Sequence, residues 1–363
     1  MIVKPQFLAT AIGSMPLDDP QQAVDLILSK LPEAPHWPQL PKLGLNEQME
    51  IQFSEHMPCA VIDREKNRLY FDTSGDYSEA FAQFYETYLL AMDPEDGNGD
   101  FAAVAISPTF SVGIHALEEK LRQQGMKLPF VKCQVTGPCS FSLTVVDEKK
   151  RAIYYNDEFR DVIAKTLAMI CRWQVRIFKP YGENVICFID EPILSAFGSS
   201  TYVSVRRDDV ISLLADMIDA VHAEGGIAGM HCCGNTEWSI PIDAGVDIIS
   251  FDAFQYGKTI AMYSEAVKAY LIKGGALAWG IVPTSAAIRE QTMEGLAERL
   301  EGMMDYLASK GIEKRIIVEQ ALLTPSCGTG SLTPEDAALV YDRLAGLSAL
   351  MKEKYSKCNA KEN

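Results

Sequence analysis

Short apolar runs rich in β-branched residues recur along the chain, each separated from the next by a longer amphipathic stretch. This alternation restricts the folds open to the chain more than any other feature. The runs are Phe7–Ile12, Ala102–Ile106, Val131–Val135, Val185–Ile189, Ile227–His231, Val246–Phe251, Gly275–Ile281 and Arg315–Val318. Between them lie helix signals. Asp19–Lys30 opens with acidic residues and Pro20, a favourable helix start. Asp208–Glu224 puts Val210, Leu213, Leu214, Met217 and Val221 on one face and stops at Gly225-Gly226. Ala286–Lys310 and Pro334–Lys354 are similarly periodic. Alternating strands and helices mean βαβ units and a parallel sheet, and strands apolar throughout fit a sheet covered on both faces. About eight units favour closure, and no Gly-x-Gly-x-x-Gly follows an early strand, which argues against a dinucleotide-binding open sheet. The expected fold is therefore α/β: a single (β/α)8 TIM-type barrel domain over residues 1–363, with an N-terminal hairpin insertion. The hairpin is residues 55–75, where Val61-Ile62 and Leu69-Tyr70-Phe71 flank Asp63–Asn67. Either it or the proline-rich Leu31–Pro41 holds the second strand, so the strand count before Val131 stays open.

Composition narrows the function. With 48% hydrophobic residues the chain can bury a barrel-sized core, yet runs such as Asn184–Ile189 fall far short of the ~20 residues of a membrane span. Met1-Ile2-Val3-Lys4-Pro5 lacks an apolar signal region, so a cytoplasmic enzyme is expected. A net charge of −16 argues against nucleic acid and anionic membrane as partners; otherwise it serves solubility. Nine cysteines, an odd number, argue against a disulfide framework. Cys133, Cys171 and Cys187 sit in apolar stretches and read as core. Cys232, Cys233 and Cys327 do not.

His231 and Cys233 lie at a strand end that runs into Gly234, on the rim where barrel enzymes place their active sites. Two apart in extended chain, they point to one side. Cys327, in Ser326-Cys327-Gly328, follows the last strand and reaches the same rim if the barrel closes. A lone His-x-Cys is most often core or coincidence; the separate Cys327 raises a metal site to equal standing with that bland reading. Three ligands with an open fourth position are the pattern of a catalytic zinc. Asp252, which ends Ile248–Phe251, is either a fourth ligand or a group that orients His231. A free thiol, with a pKa of ~8.5, is mostly protonated at neutral pH, and zinc holds it as the thiolate. A cysteine-rich donor set leaves charge on that sulfur and so suits thiol alkylation better than water activation.

Several motifs, in order along nearly the whole chain, resemble the catalytic barrel of cobalamin-independent methionine synthase. That barrel belongs to a superfamily shared with uroporphyrinogen decarboxylase and corrinoid-dependent thiol methyltransferases. Ile12-Gly13-Ser14-Met15-Pro16 is similar to the family's opening motif, Val135-Thr136-Gly137-Pro138 to its Thr-Gly-Pro strand end, and Ile189-Asp190-Glu191-Pro192 to its Ile-Asp-Glu-Pro. His231, Cys233 and Cys327 fall on its zinc ligands. The resemblance implies a methyltransferase in which Ser14 holds the substrate carboxylate and Asp190 its ammonium, with Glu191 beside it in the catalytic motif and Glu47 as a second amine ligand. A strand-end carboxylate suits an amine independently of that resemblance, although Asp190 or Glu191 can equally cap a helix. The chain also departs from the family. Asp252 stands near the position of its zinc glutamate, one methylene shorter. One barrel replaces two, without the half that helps hold a polyanionic folate tail. His231–Thr236 is closer to the corrinoid-dependent branch, and the arginine-rich start of uroporphyrinogen decarboxylase is missing.

Proton bookkeeping bears on the donor. Removing a methyl from methyl-folate needs a proton for the departing nitrogen, whereas cobalt leaves methylcorrinoid without one. Only five histidines are present; His36, His56, His115 and His222 lie outside strand-end motifs, although Glu191 remains as an acid. The expectation is Zn2+ with a methyl-corrinoid donor, free or carried on a partner corrinoid protein, and methyl-folate as runner-up. The acceptor is a small-molecule thiol, homocysteine before coenzyme M, since the latter has no amine for Asp190. A zinc- or thiol-binding barrel without turnover is the alternative of another class. Trp37, Trp238 and Trp279 read as packing before they read as a donor face.

Overall fold

The computed structural model describes residues 4–92, 101–125 and 127–359. Its strands are β1 (Leu8–Ala9), β2 (Ala60–Asp63), β3 (Arg68–Phe71), β4 (Leu128–Thr136), β5 (Val146–Asp147), β6 (Gly182–Asp190), β7 (Ile227–Cys232), β8 (Ile248–Phe251), β9 (Ala276–Val282) and β10 (Ala321–Pro325). Seven of them form one parallel sheet in the order β1-β10-β9-β8-β7-β6-β4, curled as in a TIM-type barrel and wrapped by helices. The expected fold class holds, and the hairpin is real: β2 and β3 pair antiparallel and are joined by β5 in a small second sheet.

The helices are α1 (Pro20–Lys30), α2 (Ser78–Met92), α3 (Val112–Gln124), α4 (Pro138–Thr144), α5 (Asp157–Phe178), α6 (Arg207–Ala223), α7 (Ser239–Ala244), α8 (Ala253–Tyr256), α9 (Ser264–Ile272), α10 (Met293–Ala308), α11 (Lys314–Glu319) and α12 (Pro334–Asn359). Local chemistry sets their ends. Asp19 accepts from the Gln21 and Gln22 N–H groups at the start of α1, and Thr292 accepts from Gly295 at the start of α10. None of the described helices is long and apolar enough to cross a membrane.

The place between β1 and β4 belongs to the proline-rich stretch. Gln39 bridges Ser14 and His36 bridges Lys132, both in parallel sense. Lys132 N donates to Pro35 O at 2.8 Å, and Gln39 N donates to Gly13 O at 3.0 Å. Residues 34–39 thus act as the second stave. It forms bridges rather than a ladder because Pro32, Pro35, Pro38 and Pro41 have no N–H to give.

Two expected strands are corrected. Residues 102–104 of the Ala102–Ile106 run lie in the 3-10 turn Phe101–Val104, and Arg315–Val318 lies within α11. A run of four or five apolar residues suits a buried helical turn as well as a strand, and here the neighbouring packing decides. The last strand is instead Ala321–Pro325, which pairs with both β9 and β1.

Two apolar layers result. The smaller one, inside the sheet, includes Leu8, Ile12, Ile186, Phe188, Ile248 and Leu322; the larger one fills the space between sheet and helices. Cys133, Cys171 and Cys187 are fully buried.

Candidate metal centre

Strand register assembles the site. Thr136 pairs with Asp190, Asp190 with His231, and His231 with Ser250, so four neighbouring strands place these residues side by side at their C-terminal ends. His231 is buried, and its Nδ1 lies 3.0 Å from the Ser250 hydroxyl. Its Nε2 is buried with no hydrogen-bond partner. Cys233 follows directly after β7. Cys327 follows β10, on a turn anchored by Ser326 N donating to Val282 O at 2.8 Å. A Cβ on Gly328 would fall 2.0 Å from Ser14 Oγ, so a larger residue there would displace the Ser14 hydroxyl from its place against this turn. Thr329 N donates to Ser14 O at 2.8 Å, which fastens the two turns together.

One ligand atom each from His231, Cys233 and Cys327 lies within 4.8 Å of the others. The Cys327 thiol, hydrogen-bonded to Cys233, together with neighbouring His231 holds Cys233 far below the usual thiol range, at about 4. Cys327 is pushed up correspondingly by the same contact and by burial. One nitrogen and two sulfurs suit zinc. The orphaned Nε2 points to the same conclusion, since a buried ring nitrogen without a partner is destabilising unless something occupies it. Ser250 on the other ring nitrogen then serves to orient the imidazole.

A cavity of roughly 110 Å3 opens beside this cluster, lined by Ser14, Asp190, His231, Cys233 and Cys327, together with Trp37, Gln52, Gln134 and Thr136. Asp190 is partly open to it, yet its Oδ1 has no partner. Burial pushes the Asp190 carboxyl up to about 6, against the opposing charges of Lys132 and His231.

Three expected site residues stand apart from the cavity lining. Glu191 is fully buried and accepts from Cys139 N at 2.9 Å, Ser140 N at 2.7 Å and the Ser140 hydroxyl at 2.7 Å. It therefore clamps the start of α4, and burial raises it to about 7. Glu47 accepts from Val112 N at 2.8 Å and from Gln52 Nε2 at 2.9 Å. Asp252 accepts from Gln255 N at 2.8 Å and caps α8; it is not among the three clustered ligands.

Sequence reasoning missed Gln52, whose buried Oε1 has no partner and which lines the cavity while Glu47 holds its amide nitrogen. It lies on the short 3-10 turn Ile51–Phe53, where no periodicity marks it. Thr136, quoted only as part of a motif, also presents an unpartnered buried hydroxyl. Trp37 is a cavity wall, whereas Trp238 and Trp279 are fully buried and pack on Phe251 at 5.7 and 5.3 Å. The other histidines are engaged elsewhere: His36 with Tyr341, His56 with Ala105 O, His115 with Ile106 O and His222 with Asp247.

No protein-family model matches the chain, and no curated protein does. Among solved structures it is similar to a methyltransferase from Methanosarcina mazei, at 16% identity over 93% of this chain and 86% of that one, with a TM-score of 0.54. It is also similar to a B12-independent methionine synthase from a Shewanella species, solved in complex with selenomethionine. There the identity is 12% over 97% of this chain and 99% of that one, with a TM-score of 0.57. At such identities the likeness is one of fold: the chain shares the barrel architecture of these two proteins over nearly its whole length.

Proposed function

We propose that this protein is a zinc-dependent methyltransferase that moves a methyl group from a methyl-corrinoid donor to the thiol of homocysteine, forming methionine. The observation that carries the reading is the orphaned His231 Nε2 clustered with the Cys233 and Cys327 sulfurs, beside a cavity walled by Ser14 and Asp190. A zinc ion held by these three side chains would supply the Lewis acidity that keeps a thiol as thiolate at neutral pH. Asp190 accepts the substrate ammonium on its unpartnered oxygen, and Ser14 binds the carboxylate. Holding both groups aims the sulfur and turns recognition into orientation. The cavity volume is of the order of a ~150 Å3 cavity that takes benzene. It therefore suits an amino-acid-sized acceptor, and the larger donor meets the sulfur from the rim side.

Two features support the chemistry. An unpartnered carboxylate oxygen favours an amine-bearing acceptor over coenzyme M. Among the described residues His231 is the one histidine lining the cavity, so none of them offers a second imidazole there to protonate a folate nitrogen. The methionine synthase and methyltransferase named above lend the reading their general class.

The first test is the zinc content of purified wild-type protein and of Cys327→Ser, prepared without added metal. About one zinc per chain, reduced at least several-fold in the variant, is expected of a site with three protein ligands. Wild-type protein that neither contains nor takes up zinc removes the thiolate mechanism. Turnover with methyl-folate alone overturns the donor assignment, and tight thiol binding with no transfer from any donor leaves a binding barrel.

A further inference from the structure

Lys132 is a fully buried lysine within the barrel interior, a place where an ammonium is costly unless its surroundings compensate. Its Nζ donates to Ile12 O at 2.6 Å and to Gln134 Oε1 at 3.0 Å, and it stands 4.8 Å from the centre of the Phe188 ring. Both hydrogen-bonded groups belong to the wall of the cavity: Ile12 opens the turn Ile12-Gly13-Ser14, and Gln134 lines the pocket while donating to Trp37 O at 3.1 Å. Gly13 is folded against Gln134 so closely that a Cβ there would meet its amide nitrogen at 2.5 Å. The ammonium thus grips the Ser14 turn from behind, directly at Ile12 and through Gln134 at Gly13. Among the described residues no lysine or arginine lines the cavity itself, and the chain as a whole carries −16, so an incoming carboxylate finds no such cation in the described wall. Lys132 supplies one through the wall, in a water-poor interior where charge acts more strongly than at a surface. Burial draws Lys132 down to about 8, and the Asp190 charge opposes that shift, so the ammonium form persists at neutral pH.

We infer that Lys132 is the positioning and specificity residue of the pocket: by holding the Ser14 turn and lending it positive charge, it makes the site select thiols that bear a carboxylate. This rests on the proposed homocysteine-binding role of the cavity. The experiment is calorimetric titration of zinc-loaded wild-type protein and Lys132→Met. The ligands are homocysteine and 3-aminopropanethiol, which is homocysteine without its carboxylate. Wild-type protein is expected to prefer homocysteine by about tenfold or more, as a charge-assisted contact allows. In Lys132→Met that preference should fall to about twofold or less, through a raised Kd for homocysteine only, with zinc content unchanged. Lys132→Gln, which keeps a donor near Ile12 and loses the charge, is the second variant should Met not be tolerated, and the same split is expected.

Equal weakening of both thiols, or a preference that survives the loss of charge, overturns the inference. So does wild-type protein that binds the two thiols equally. Wild-type protein that binds no homocysteine at all overturns the proposed function itself. Normal homocysteine binding that the variants leave untouched removes the role of Lys132 alone.

Discussion

Asp190 is where residue chemistry and function meet most closely. Its Oδ1 is buried and unpartnered, in register between Thr136 and His231, so the pocket carries an unmet acceptor. An ammonium satisfies it; a neutral alkyl end does not. Asp190→Asn is therefore expected to raise the Kd for homocysteine by about tenfold to a hundredfold, the range for a hydrogen bond to a charged group. Propanethiol should bind almost unchanged. Titration of both ligands checks this, and equal losses exclude the amine-binding role. Glu191, adjacent in sequence, teaches the opposite lesson. Its motif position suggested catalysis, but its carboxylate is consumed by the Cys139 and Ser140 N–H groups and the Ser140 hydroxyl. Two neighbouring acids alternate sides of a strand end, and only the packing around each says which one meets the pocket.

At the scale of elements, the second stave is the least regular part of the barrel and the one most dependent on its neighbours. Residues 34–39 carry Trp37 and Gln39 into the cavity wall, but Pro35 and Pro38 interrupt the N–H groups with which a ladder would be held. Close packing substitutes for hydrogen bonds. In α3, a Cβ on Gly113 would lie 1.7 Å from Pro38 O, so the helix rests directly on the stave. Gly113→Ala must push the two apart. The expected cost is about 1–3 kcal/mol, the usual range for overpacking, read as a lower urea midpoint at unchanged slope. A change within about 0.5 kcal/mol, ordinary for surface positions, would mean that the stave moves freely and does not shape the pocket.

At the scale of the whole molecule, the candidate metal ligands hang on the ends of β7 and β10, above a core that does not involve them. The apolar layers on both sides of the sheet close without His231, Cys233 or Cys327. Metal removal should therefore leave the barrel folded, unlike a zinc finger, whose fold is its metal site. Chelator-treated protein is expected to keep its far-ultraviolet circular dichroism and a cooperative thermal transition, with Tm lowered by only a few degrees. Loss of that transition on chelation would make the site structural and weaken the case for catalysis.

Much of this was legible in the chain alone, because periodicity is a local property. Val131–Val135, Val185–Ile189 and Ile227–His231 each fall within an observed strand, and Gly275–Ile281 does so from Ala276 on, since β-branched apolar runs between amphipathic helices have few other ways to bury themselves. The His231-x-Cys233 and Cys327 pattern is likewise legible in the sequence, because ligand chemistry belongs to residue type. What the tertiary structure decided were matters of pairing and of which group a side chain meets. Ile316-Ile317-Val318 went into a helix, and Ala321–Pro325 took the strand position because β9 and β1 were both there to receive it. Asp252 turned to cap α8, Glu47 to hold Gln52, and Lys132 to stand behind Ser14's turn. None of those three choices leaves a trace in spacing, because each depends on atoms brought near only when distant segments pack.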